Sequence, residues 1–200
     1  RSSAMSKSQA ELEFPARFNL CEYFLDHNLE AGRAEKTALV CGDQRRSYGE
    51  LVRRPQQVAA ALRRRGVRPE ERVLFVLPDV IEFAEAWFGT LRAGAVFAMV
   101  NPLLKREQLA YYLEYSKARV AFVHVDALEE FLAASRSARW FETAIVVGGG
   151  LHGCVDFELA LAAEDPASKL AEVEPTGPDD LAGWLFTSGS TGHPKACVHV

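Results

Sequence analysis

Short continuous apolar runs alternate along this chain with longer segments whose apolar residues recur every three or four positions. Val73–Leu77, Val96–Val100, Val120–Val123 and Thr143–Val147 are runs of the first kind. They are too short for helices and apolar on both alternations, the pattern of strands buried on both faces. Residues 79–93 follow the helical period, with Ile81, Ala84, Trp87, Phe88 and Leu91 on one face and Gly94 placed to end the helix. Helices are also predicted over residues 105–116 and 127–135. Upstream, Leu20, Tyr23, Phe24 and His27 form a helical stripe within Phe18–Leu29. Thr37–Cys41 predicts a strand, Gly42-Asp43-Gln44 a turn, and Arg46–Tyr48 the returning strand of a hairpin. Ser47 and Glu50 have capping-box spacing, so a helix starts there and runs through Leu51, Val58 and Leu62 toward Gly66. Pro55 lies inside it and is expected to kink it, at about 3 kcal/mol if uncompensated.

Strands alternating with helices predict an α/β fold with a largely parallel sheet flanked by helices. Right-handed crossovers would place the helices on its faces. Residues 1–4, ahead of Met5, read as an expression scar, and residues 5–17 as a loose N-terminal arm. Residues 162–180, with Pro166, Pro175, Gly177 and Pro178, read as an exposed connector leading to a last strand.

Charge narrows the picture little. A net charge of −4 and a pI near 5.8 give no reason to expect nucleic acid as a partner. The one dense basic cluster, Arg63-Arg64-Arg65 with Arg68, reads as a solvated helix end complementing the C-terminal dipole. Cys21, Cys41, Cys154 and Cys197 are widely spaced without a C-x-x-C pair, which predicts reduced thiols and a cytoplasmic location rather than a disulfide or zinc framework. No apolar run is long enough to cross a bilayer as a helix.

Two glycine-bearing segments are candidate phosphate sites. Gly148-Gly149-Gly150-Leu151-His152-Gly153 formally matches G-x-G-x-x-G after a predicted strand. A dinucleotide fingerprint must open a helix at once, and here any helix starts only near Asp156, so a flexible connection is the better reading. The second segment is Thr187-Ser188-Gly189-Ser190-Thr191-Gly192-His193-Pro194-Lys195, directly after Leu185-Phe186. Its glycines let a backbone wrap an anion, its hydroxyls add donors, and Lys195 adds a mobile charge. Counted from Gly189, the Walker pattern needs Gly-Lys-Ser/Thr at 194–196, which hold Pro194, Lys195 and Ala196. It is therefore not a Walker loop, and an ordinary Gly/Ser/Thr turn between strands stays open on composition.

This segment closely resembles the phosphate-binding signature of the adenylate-forming enzymes: acyl- and aryl-CoA synthetases, luciferases and peptide-synthetase adenylation domains. Tyr48-Gly49-Glu50-Leu51 resembles the family's Tyr-x-Glu-Leu segment. Leu91 to Leu104 resembles its Leu-Lys-Ala-Gly-Ala segment followed by Asn-Pro. Trp184-Leu185-Phe186 before the loop and Val198-His199 after it look most like benzoate-type aryl-CoA ligases. The resemblance covers residues 18–200. It departs at Ala196, where the family usually has glycine, and His193 fills a variable position that reads as exposed rather than catalytic. His27, His124, His152 and His199 read as structural.

The resemblance implies that residues 18–200 are the first part of a large N-terminal AMP-binding domain. It implies a carboxylic acid substrate, an aromatic one such as a benzoate or aminobenzoate in the benzoate-type subfamily, with ATP, Mg2+ and coenzyme A. Fatty acyl-CoA ligases and peptide-synthetase adenylation domains are the alternatives within the family, and a non-catalytic nucleotide-binding module is the alternative outside it. Thr187, Ser188, Gly189, Ser190, Thr191 and Gly192 would grip the β- and γ-phosphates, with Lys195 compensating charge as the catalytic residue. The magnesium ligand, the adenine and ribose sites and the C-terminal domain would lie downstream, in the missing remainder of the same polypeptide. Residues 1–200 alone are then expected to be inactive.

Overall fold

The computed structural model describes residues 14–149, 153–187 and 192–200 of the chain. A π-helical turn, Glu22–Asp26, opens the predicted first helix and runs into α1 (His27–Glu30). The predicted hairpin is present as β1 (Thr37–Cys41) and β2 (Gln44–Ser47), a two-stranded antiparallel sheet of its own. The next helix is α2 (Tyr48–Arg64), started by the predicted capping box. The Glu50 N–H donates to Ser47 Oγ at 3.2 Å, and the Ser47 N–H donates to Glu50 Oε2 at 2.9 Å.

The remaining described elements alternate as expected. They are β3 (Arg72–Val76), α3 (Ile81–Arg92), β4 (Val96–Met99), α4 (Arg106–Ser116), β5 (Val120–His124), α5 (Leu128–Ser135), β6 (Thr143–Val147), β7 (Val155–Asp156), α6 (Phe157–Ala162), β8 (Gly183–Thr187) and β9 (Lys195–His199). Among the described residues seven strands form one sheet in the order β7-β6-β5-β3-β4-β8-β9, parallel except for the antiparallel β8–β9 pair.

Successive side chains of a strand point to opposite faces, and the two cores follow from that. Val73, Phe75, Phe97, Phe122 and Ile145 pack under α2, α3 and α6 on one face. Leu74, Val76, Ala98, Val123 and Val146 pack under α4 and α5 on the other. From β3 to β4 the chain steps outward, and from β4 to β5 it steps back across β3. A right-handed crossover that reverses direction must change faces, so α3 and α4 lie on opposite sides.

Glu85 of α3 is fully buried between Arg46 of β2 and Arg54 of α2, and Arg54 also forks onto Glu158 of α6. Burial pushes the Glu85 carboxyl above its ordinary range, against the pull of Arg54 and then Arg46. The network ties the hairpin and three helices together beneath the sheet.

α2 runs as one continuous helix across Pro55, which is buried. Two expectations change. The basic cluster at the end of α2 is not simply solvated. Arg63 Nη1 donates to the Leu170 and Glu172 carbonyls at 2.8 and 2.6 Å, and its Nη2 pairs with Glu174. Arg64 forks onto the buried Glu164 at 2.6 and 2.8 Å, while Arg68 is exposed as expected.

Those same bonds correct the reading of residues 162–180 as an exposed connector. Its Lys169–Ala171 turn is seated on α2 and α3, with Ala171 buried and its carbonyl accepting from Arg92 Nε at 2.8 Å. Arginines take the Leu170, Ala171 and Glu172 carbonyls in turn, so this stretch can pack closely without a ladder of its own.

Gly150 and His152 of the G-x-G-x-x-G match lie outside the described residues. The next described helix, α6, is capped by Asp156, whose Oδ1 accepts from the Leu159 N–H at 3.0 Å. A helix that starts only after Asp156 does not meet the dinucleotide fingerprint's need for a helix opening at once. Among the described residues, no helix is long and apolar enough to cross a membrane.

Candidate functional site

Open α/β sheets bind ligands outside the carboxyl ends of their parallel strands. β8 pairs in parallel with β4, with Ala98 opposite Trp184 and Met99 opposite Leu185, and ends at Thr187 on that edge. β9 returns antiparallel, with Thr187 opposite Lys195. The candidate phosphate loop therefore leaves and re-enters the sheet at the edge where such sites form. Ser188, Gly189, Ser190 and Thr191 lie outside the described residues, so the geometry that can be stated is that of the two limbs.

Thr187 and Lys195, eight positions apart, meet at the neck of the loop. Thr187 Oγ1 donates to the Lys195 carbonyl at 3.5 Å. Gly192 has φ of +134°, a conformation that side chains resist, and among the described residues no atom lies near where its Cβ would stand. Its positive φ by itself favours glycine there. The Lys195 residue is exposed, and its four-carbon stem can carry the ammonium toward an anion held by the loop.

The described return limb rests on α4. Tyr111 Oη donates to the Pro194 carbonyl at 2.7 Å, and its ring stacks on His193 with centroids 4.7 Å apart and planes 18° apart. The Ala196 N–H donates to Tyr115 Oη at 3.5 Å. His193 is exposed, as its variable position implies, and it is also stacked. Beneath the hairpin, Phe186 takes edge contacts from Tyr112 and Tyr115 at 4.6 and 5.8 Å. Burial raises the Tyr112 phenol above its ordinary range, with Tyr111 adding to the effect. Local pattern did not single out Tyr111 or Tyr115. The only sequence signal was their separation by one helical turn within a predicted helix.

Other candidates stay apart from this site. A cavity of about 460 Å3 lies at the opposite end of the β8–β9 hairpin, lined by Phe18, Tyr23, Leu91, Ala182 and Val200 among others. His124 sits at the end of β5, where its Nδ1 accepts from the Asp126 N–H. All four cysteines are free, and Cys21 is fully buried. Among the described residues there is no group of three or more His, Cys, Asp or Glu side chains able to hold a metal.

Comparison with known proteins places this geometry in context. The family model described as AMP-binding enzyme matches residues 25–200. The chain is 34% identical over 196 residues to a benzoate–CoA ligase of Thauera aromatica, covering 98% of this chain and 36% of that protein. It is 34% identical over 183 residues to a 4-hydroxybenzoate–CoA/benzoate–CoA ligase of Rhodopseudomonas palustris, covering 92% and 33%. The fold superposes on an anthranilate CoA ligase in complex with anthranoyl-AMP with a TM-score of 0.86 at 29% identity, covering 93% of this chain and 35% of that one. A benzoate CoA ligase from Burkholderia xenovorans gives a TM-score of 0.79 at 35% identity, covering 91% and 34%. The chain thus spans about a third of the length of the relatives it matches. A loop of phosphate-binding composition at the carboxyl edge of a parallel sheet, and a family match over residues 25–200, lead to one conclusion: the chain belongs to the AMP-binding enzyme family.

Proposed function

We propose that this chain carries the phosphate grip of an ATP-dependent ligase that joins an aromatic carboxylic acid, such as a benzoate or aminobenzoate, to coenzyme A. The observation that carries the reading is the neck of the loop, where Thr187 and Lys195 meet at the carboxyl edge of the sheet. The similarity to benzoate- and anthranilate-type ligases supports the choice of acid.

In this reading a carboxylate oxygen attacks the α-phosphorus of ATP. A mixed anhydride forms, the bond to the bridging oxygen breaks, and pyrophosphate leaves. The thiol of coenzyme A then attacks the acyl carbon, forming the thioester and releasing AMP, with the thiol proton passing to solvent. Charge grows on the departing pyrophosphate in the first step. Thr187, Ser188, Gly189, Ser190, Thr191 and Gly192 are assigned to hold its oxygens through backbone N–H groups and hydroxyls, and Lys195 to offset the charge. Donors oriented in advance would need no rearrangement as that charge develops. In this reading the ligand for Mg2+ lies downstream, outside residues 1–200, and the ion would add positive charge at the phosphates.

The test is ATP–pyrophosphate exchange by the full-length protein across benzoate, hydroxybenzoates, aminobenzoates and fatty acids. Exchange strongest with an aromatic acid supports the reading, and exchange only with fatty acids overturns the substrate class. No exchange with any acid, alongside retained nucleotide binding, would point to a non-catalytic module. Lys195→Ala is expected to weaken use of ATP with the fold intact; unchanged exchange kinetics would remove the role given to that lysine.

A further inference from the structure

The loop's return limb is held at successive points by a single helix. The Tyr111 ring lies on the His193 imidazole, and its hydroxyl holds the Pro194 carbonyl. Proline has no N–H, so that carbonyl is the only backbone hydrogen-bonding group at position 194, and Tyr111 occupies it. Two residues on, the Ala196 N–H reaches Tyr115 Oη. The residues on either side of Lys195 are therefore both tied to α4.

α4 is itself firmly seated. Leu109 and Leu113 are fully buried under the sheet, and the Tyr112 and Tyr115 rings meet Phe186 of β8 edge-on. Lysine is a flexible arm, so the region its ammonium can sample is set by where its Cα is held. A fixed base narrows the region that a mobile charge can sample.

We propose that Tyr111 is a positioning residue for Lys195, fixing the base from which the lysine meets the triphosphate; the inference rests on the function proposed above. Tyr111 touches no reacting atom in this scheme. It acts through the Pro194 carbonyl and the His193 ring, and its hydroxyl is the part the arrangement needs most.

The test uses the full-length enzyme and ATP–pyrophosphate exchange with the aromatic acid that supports exchange best. Tyr111→Phe keeps the ring and removes one hydrogen bond. It is expected to lower kcat/KM for ATP by about 3- to 10-fold, with the KM for the acid within about twofold of wild type. In a Lys195→Ala background the same change is expected to produce no further loss beyond about twofold, because the side chain being positioned is gone. Tyr115→Phe, which removes the acceptor for an exposed N–H, is expected to shift kcat/KM for ATP in the same direction by less.

The inference is overturned by an unchanged kcat/KM for ATP in Tyr111→Phe, by an equal loss in both backgrounds, or by a larger effect at Tyr115 than at Tyr111. An equal loss would mean that Tyr111 supports the hairpin without directing the lysine. The single Lys195→Ala variant tests the underlying function separately. If it leaves exchange unchanged, the role of Lys195 fails at that point, whatever the tyrosine variants do.

Discussion

Replacing Arg92 by alanine should destabilise the protein far more than removing an exposed arginine, because of what its guanidinium joins. Its side chain is 7% exposed, and its Nη1 contacts Asp26 Oδ1 and Oδ2 at 3.2 and 2.9 Å, while its Nε donates to the Ala171 carbonyl at 2.8 Å. Alanine would leave the Asp26 carboxylate without its cation and the Ala171 carbonyl without this donor. Breaking a buried pair from one side costs about 3–5 kcal/mol. Asp26 is 23% exposed, so water recovers part of its solvation, which places the pair near the lower end of that range. The lost bond to the Ala171 carbonyl adds about 1 kcal/mol, so the expected loss is about 3–4 kcal/mol. Arg106→Ala is the control, since its pair with Glu107 is 59% and 74% exposed and is expected to cost no more than about 1 kcal/mol. Arg92→Lys keeps the charge but not the fork, and should recover only part of the loss. Urea unfolding followed by tryptophan fluorescence reads all three. An Arg92→Ala loss no greater than that of Arg106→Ala would refute the reasoning, and with it the docking of the connector through this side chain.

Two further predictions concern the helical layer. Gly89 of α3 faces Val58 and the Pro55 carbonyl of α2, where an added Cβ would overlap the Val58 side chain and come within 3.0 Å of that oxygen. Gly89→Ala should therefore cost about 1–2 kcal/mol despite the better helix propensity of alanine, and a raised melting temperature would contradict the close crossing. Burial pushes the Cys21 thiol up to about 12, against the pull of the Arg92 guanidinium. The fold thus favours the neutral thiol, a contribution fully present below about pH 9 and lost as pH rises toward 12. Urea midpoints of wild type should fall more steeply than those of Cys21→Ala between pH 9 and 11, by about 2–3 kcal/mol in total; parallel profiles would show that the thiol is not so shifted.

Much of the architecture was legible along the chain because its signals are local. The apolar runs from Val73, Val96, Val120 and Thr143 are strands, and Ser47 with Glu50 starts α2 through bonds spanning three residues. The loop from Thr187 to Lys195 was likewise visible as composition and as a family signature. Arginines were the main misreading. Arg63 and Arg64 look the same in sequence whether they end a helix in water or hold a strand-less connector about a hundred residues away.

What the sequence by itself determined is the set of elements and the composition of one loop, since periodicity, capping and glycine placement act over a few residues. Only the tertiary structure decided the order β7-β6-β5-β3-β4-β8-β9, the docking of residues 164–174 on α2 and α3, and the support of Pro194 by Tyr111. The physical reason is common to all three. Each depends on partners brought together by burying the two faces of one sheet, and a hydrogen bond across 83 residues leaves no periodic trace in the sequence between them.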